Sequence, residues 1–136
     1  MDISRLGAAI KGSIELVESN QRVVAFRLLD DAIAEAAGEN DRQRVRTLCH
    51  HASVLAHRGD QRRLTKHYCE KSLQYNPDDT MALSKLADCA QEEGEIEAAA
   101  ECAKRRHQAI LQSNNQLDKS HLLGMLLAGW PDAGQG

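Results

Sequence analysis

Apolar residues recur along this chain at intervals of three and four, the spacing that gathers side chains on one side of a helix. Val24, Leu28, Ala32 and Ala36 form one such row, and Leu48, Ala52 and Leu55 form another. Polar and glycine-bearing breaks separate the rows. Ser19-Asn20, Gly38-Glu39-Asn40-Asp41, Gly59-Asp60 and Gly94-Glu95 each follow a helical pattern. Glycine, or less often asparagine, takes the left-handed conformation that ends a helix, while Asp41 or Asp60 can cap the next one. At Asn76-Pro77-Asp78-Asp79 the proline stops one helix and an aspartate starts another. A sixth break is the polar run Ser113-Asn114-Asn115. The pattern therefore predicts seven helices, the last running roughly from Gln116 to Gly129.

Helices in pairs invite a search for an internal repeat. Asn20, Gly59 and Gly94 are separated by 39 and then 35 residues, and the same two offsets connect Ser13, Ala52 and Ala87. They also connect Leu16, Leu55 and Ala90; Ala25, Leu64 and Ala99; and Leu29, Tyr68 and Ala103. Small residues at Ser13, Ala52 and Ala87 would let one helix approach its neighbour closely, and larger ones such as Leu16, Leu29 and Leu55 would fill the remaining space.

The order of residues within each pair resembles the tetratricopeptide repeat. That pattern runs from a large residue to a leucine-small pair, a further apolar position, a turn, a small-x-x-x-large pair and a closing proline. The third pair reads Leu83, Leu86-Ala87, Ala90, Gly94, Ala99, Ala103. The second reads Leu48, His51-Ala52, Leu55, Gly59, Leu64, Tyr68, Pro77, with His51 and Leu64 where the family has a leucine and an alanine. The first reads Ala9, Gly12-Ser13, Leu16, Asn20, Ala25, Leu29, Ala32, and no tryptophan opens any of the three. The resemblance implies an all-α fold, an α-solenoid of three antiparallel helix pairs over about 3–37, 43–76 and 79–112. A C-terminal capping helix over 116–130 would complete a single domain of residues 1–130, with a flexible tail at 131–136.

Composition narrows the function. Hydrophobic residues make up 42% of the 136, enough for a core, while aromatics are only 3%, which starves strands of the residues they prefer. Net charge is −3 with both signs interspersed, so nothing marks a track for phosphates or a platform for bases, and nucleic acid is not expected as a partner. No run approaches the roughly 18 apolar residues of a membrane span, and the N-terminal residues lack the layout of a signal peptide. A cytoplasmic location is expected, with Cys49, Cys69, Cys89 and Cys102 as reduced thiols lacking any Cys-x-x-Cys spacing.

Catalysis and metal binding are weighed on the same residues. His50, His51, His57, His67 and Cys69 are close in sequence, but no two histidines stand three or four apart as zinc ligands on one helical face do. Adjacent Cys49 and His50 point about 100° apart on a helix and do not face each other. No enzyme signature, metal site or cofactor is therefore expected. A metal-dependent role for the His and Cys residues is the least favoured reading.

In the tetratricopeptide family the first helix of each pair lines a concave groove that holds a partner peptide or helix. The resemblance places Ile10, Lys11, Ile14 and Val17 there from the first pair. It adds Arg46, Cys49, His50, Ser53 and His57 from the second, and Met81, Ser84, Lys85, Asp88 and Glu92 from the third. Lys11, Arg46, His50 and Lys85 would then form a basic floor beside an apolar end. The function this implies is a protein-interaction adaptor or scaffold; the alternative is a small chaperone for a secreted or assembling client. The last helix carries more apolar surface than a cap requires. Leu123, Leu127 and Trp130 are left over, and a homodimer through them is expected.

Overall fold

The computed structural model describes residues 1–127, with side chains as far as Ser113. The chain forms six α-helices: α1 (Ile3–Glu18), α2 (Arg22–Gly38), α3 (Arg42–Arg58), α4 (Arg62–Tyr75), α5 (Thr80–Glu92) and α6 (Ile96–Leu127). Among the described residues there is no strand, and no helix is long and apolar enough to cross a membrane.

Local chemistry sets the helix starts. Asp2 accepts the Arg5 amide at 2.8 Å and Asp41 accepts the Arg44 amide at 3.1 Å. Asp79 takes both the Met81 and Ala82 amides, at 3.2 and 3.3 Å. These aspartates satisfy donors that an α-helix leaves without internal partners. Asp79 is itself buried, and its second carboxylate oxygen accepts the Ser72 hydroxyl at 2.6 Å, tying the end of α4 to the start of α5.

Four turns close in one way. Asn20, Asn40, Asp60 and Gly94 adopt left-handed conformations, with φ of 61°, 55°, 55° and 75°. The residue after each returns its amide to a carbonyl in the last turn of the helix: Gln21 to Leu16, Asp41 to Ala36, Gln61 to Ala56 and Glu95 to Ala90, at 2.7 to 3.0 Å. This hydrogen bond, from just beyond the helix back into its last turn, satisfies carbonyls that would otherwise be orphaned.

The third of these turns corrects the repeat. Gly59 has an ordinary φ of −95°, and Asp60 takes the left-handed place. Aspartate tolerates that conformation better than most residues. Gly59 serves another end, because a β-carbon there would collide with the guanidinium of Arg22. The turn residues Asn20, Asp60 and Gly94 are thus 40 and then 34 residues apart. The second pair slips by one against the expected columns. It reads Cys49, Ala52-Ser53, Ala56, Asp60, Thr65, Cys69 and Pro77, which replaces the mismatched His51 and Leu64 by small residues.

Burial follows the corrected columns. Ala25 and Thr65, Leu29 and Cys69, and Ala32 and Ser72 are each at most 3% exposed. These positions of α2 and α4 lie under the helix that follows, α3 packing on α2 and α5 on α4. Phe26 and Tyr68 stack with ring centres 5.8 Å apart, and the Tyr68 hydroxyl donates to Asp30 at 2.7 Å. The α1 helix also reaches past α2 to touch α3.

At the C-terminal end the structure departs from expectation. The run Ser113-Asn114-Asn115 lies inside α6, a continuous helix of 32 residues, so there are six helices and not seven among the described residues. Serine and asparagine cost little in a helix interior compared with glycine or proline, and neither breaker stands in the run. Residues 116–127, expected in a separate capping helix over 116–130, continue α6 instead, and 128–130 lie outside the described residues. Ala103 is exposed.

Candidate functional site: a cleft built on polar rungs

Two serines on successive first helices make the same pair of bonds. The Ser13 hydroxyl donates to the Ile10 carbonyl at 2.7 Å and lies 2.9 Å from His51 Nε2. Forty residues on, the Ser53 hydroxyl donates to the His50 carbonyl at 2.7 Å and accepts from Lys85 Nζ at 2.8 Å. A hydroxyl has one proton to give. With the Ser13 proton on the Ile10 carbonyl, the bond to His51 is made by the tautomer that carries its proton on Nε2. A rung thus runs from α1 to α3, and another from α3 to α5. Lys85 reinforces the second by donating to His50 Nδ1 at 3.3 Å.

An arginine recurs with the same 40-residue offset, although its partner differs in kind. Arg22 donates from Nη2 to the Leu55 carbonyl at 2.7 Å and to Gln61 Oε1 at 3.0 Å, with its guanidinium 5.6 Å over the Phe26 ring. Arg62, at the corresponding place in α4, pairs with Glu92 at 2.9 Å.

Burial shapes the charges around the rungs. Desolvation, then the positive charges of Lys85 and Arg46, hold the His50 pKa below its ordinary value, with Asp79 opposing. Desolvation and the neighbouring His50 and Arg58 lower His51. Lys85 is lowered as well, by burial. Burial pushes the Cys49 thiol up to about 12 and Cys69 up to about 11, so neither supplies a thiolate near neutrality.

Above the second rung lies a cleft of about 580 Å³ between the α3–α4 turn and the C-terminal half of α5. It brings together four of the groove residues read from the sequence, His57, Lys85, Asp88 and Glu92, with Asp60 and Arg62 beside them. The other groove residues go elsewhere. His50 is half-buried and Ser53 is buried, both as members of the rung. Arg46 lines a separate opening of about 490 Å³ with Asp78, Thr80 and the Ala109–Ser113 stretch of α6. Ile10 and Val17 pack partly against the core. Ile14 is 39% exposed and Met81 52%, and neither lines the cleft. Lys11 is exposed, also outside it.

The basic floor is therefore not assembled. Of its four residues only Lys85 lines the cleft, where Asp60, Asp88 and Glu92 face it. The one-residue slip explains this. Shifting a helix by one position turns its side chains through about 100°, so His51 and not His50 shares a column with Lys11 and Lys85. The sequence reading missed His51, Ser13, Arg22 and Arg62 as linking residues. Ser13 and Ser53, and Arg22 and Arg62, stand 40 apart in the sequence, a signal that shows once Asp60 is taken as the turn residue.

Cys89 lines the cleft, and burial raises its thiol pKa. Among the described residues, no group of three or more His, Cys, Asp or Glu could hold a metal ion. The cleft offers hydrogen bonds and charges of both signs, which suits binding. Comparison with known proteins finds no matching family model, no similar curated protein and no similar solved structure. The fold defines the chain as an all-α protein of sequentially packed helices.

Proposed function

We propose that this chain is a protein-interaction module, a solenoid of three tetratricopeptide-like helix pairs that holds a segment of a partner protein in the cleft between α3 and α5. The recurrence of the serine link carries this reading. Ser13–His51 and Ser53–Lys85 join consecutive pairs in one way, and Arg22 and Arg62 each bridge forward as well, one to the Leu55 carbonyl and the other to the Glu92 carboxylate. Repeats joined in this way leave a continuous surface along their first helices, the usual place for an extended partner. The cleft holds Lys85 and Arg62 against Asp60, Asp88 and Glu92, so it suits a segment bearing both signs of charge better than a purely acidic one.

The test uses exposed residues. His57 and Asp88 line the cleft without joining the rungs, so His57→Glu with Asp88→Lys should leave the melting temperature nearly unchanged. A partner recovered by affinity purification with the wild-type protein should bind this variant at least tenfold more weakly in a titration. Equal affinity would remove the cleft from the proposal.

A further inference from the structure

α5 spans 13 residues and α6 spans 32, about 20 and 48 Å at 1.5 Å per residue. The short link at Glu93–Glu95 makes them antiparallel neighbours. By Ala109 to Ser113, α6 already shares an opening with Thr80 at the start of α5, so its remaining turns extend beyond what α5 can cover.

The first half of α6 also has a bare side. Ala99, Ala103 and Arg106 occupy the columns that the next helix covers in α2 and α4. Here Ala99 is only half-buried, and Ala103 and Arg106 are exposed. Ile96 stands at the position of Arg22 and Arg62, and is 78% exposed. Ala87 replaces the rung serine. The end of the array is apolar where the earlier pairs are polar.

The sequence holds a complement to this side, and its spacing is a mirror image. Leu127 stands as far after Ser113 as Ala99 stands before it, and Leu123 mirrors Ala103 in the same way. Trp130, outside the described residues, is as distant from Ser113 as Ile96. Each mirrored pair sets a large residue against a small one or joins two large apolar ones. Counted at the 3.5-residue repeat of a two-helix seam, Ile96, Ala99 and Ala103 fall on one side of α6, and Leu123, Leu127 and Trp130 are spaced by four and three in the sequence, as such a seam requires. A two-fold axis at Ser113 would bring each pair together twice, as an isologous interface requires.

We propose that a second copy of this chain closes the open face. The two α6 helices cross antiparallel about Ser113, and the C-terminal half of each lies along Ile96, Ala99 and Ala103 of the other. This assigns a receiving surface to Leu123, Leu127 and Trp130, and it is independent of the cleft.

Cysteine cross-linking in the full-length chain tests the arrangement, with Cys102→Ser as background. Ala103→Cys combined with Leu123→Cys should give a covalent dimer on a non-reducing gel after mild oxidation. Either substitution alone should not, because like positions then lie about 30 Å apart along the antiparallel pair. Light scattering should find the background protein dimeric at micromolar concentration, and Ala103→Glu, at an exposed helical site, should give a folded monomer by circular dichroism. A disulfide-linked monomer of the double variant would mean that the segment folds back on its own chain and would overturn the proposal. Cross-linking by the single variants would indicate parallel helices and would overturn it equally.

Discussion

Replacing Leu29 by alanine should cost about 2–5 kcal/mol of folding stability, the range for removing a fully enclosed leucine. Leu29 has no exposed surface and belongs to the main core cluster with Ile33, Leu48 and Tyr68. Its surroundings are close-packed core side chains of α2, α3 and α4, so the cavity cannot readily collapse. Because natural domains retain only about 5–15 kcal/mol in total, the loss should be plain in urea unfolding followed by helical circular dichroism at fixed protein concentration. Val23→Ala, on the same helix at a site 74% exposed, should shift stability by no more than about 0.5 kcal/mol. Similar losses from the two substitutions would mean that α2 does not bury the face described.

Acid should loosen the protein before its carboxylates titrate. His50 and His51 both have pKa values below 6.5 in the folded chain, so folding favours their neutral forms. As pH falls below about 6.5 the unfolded chain takes up protons that the folded chain does not yet bind. Their contribution is therefore fully present above that pH and declines as pH falls toward the lowered folded values. The groups acting on the pair are Lys85, Arg46 and Arg58, which disfavour protonation, and Asp79, which favours it. Protonating His50 also removes the lone pair that accepts from Lys85, setting two cations face to face. His51 keeps its bond to Ser13 in either state, since Nε2 is already the donor. The melting temperature should fall between pH 7.5 and 5.5, and His50→Gln with His51→Gln should flatten that slope. An unaltered slope in the double variant would assign the loss to other groups.

Most helix boundaries were legible because they rest on local chemistry. Asp41 and Asp79 cap through their own side chains, and Pro77 excludes continuation of α4. Asp60, read as a possible cap, instead takes the left-handed turn position and makes no capping bond, and the cap at Asp2 was not read. The slip at Gly59 was not legible. Glycine is the default left-handed residue, and nothing local says that it stands there to admit Arg22 from 37 positions away. The resulting one-residue error placed His50 in a groove column and hid His51. The fusion of α6 was missed for a thermodynamic reason. Ser113, Asn114 and Asn115 each prefer a helix interior less than alanine does, yet no geometry forbids them. The cleft was half visible. His57, Lys85, Asp88 and Glu92 stand where the resemblance puts a groove, whereas Asp60 and Arg62 enter from the turn and the second helix, where a one-face pattern does not look.

The links between pairs also give the chain a kind of grammar. The middle pair holds both halves of each link: His51 answers Ser13 behind it while Ser53 meets Lys85 ahead, and Leu55 answers Arg22 while Arg62 meets Glu92. If its text were copied and set after itself, Ser53 of the first copy would meet His51 of the second, and Arg62 would meet the Leu55 carbonyl. The clause could be iterated without rewriting a word. The third pair could not, since Ala87 and Ile96 stand where the forward serine and arginine would be.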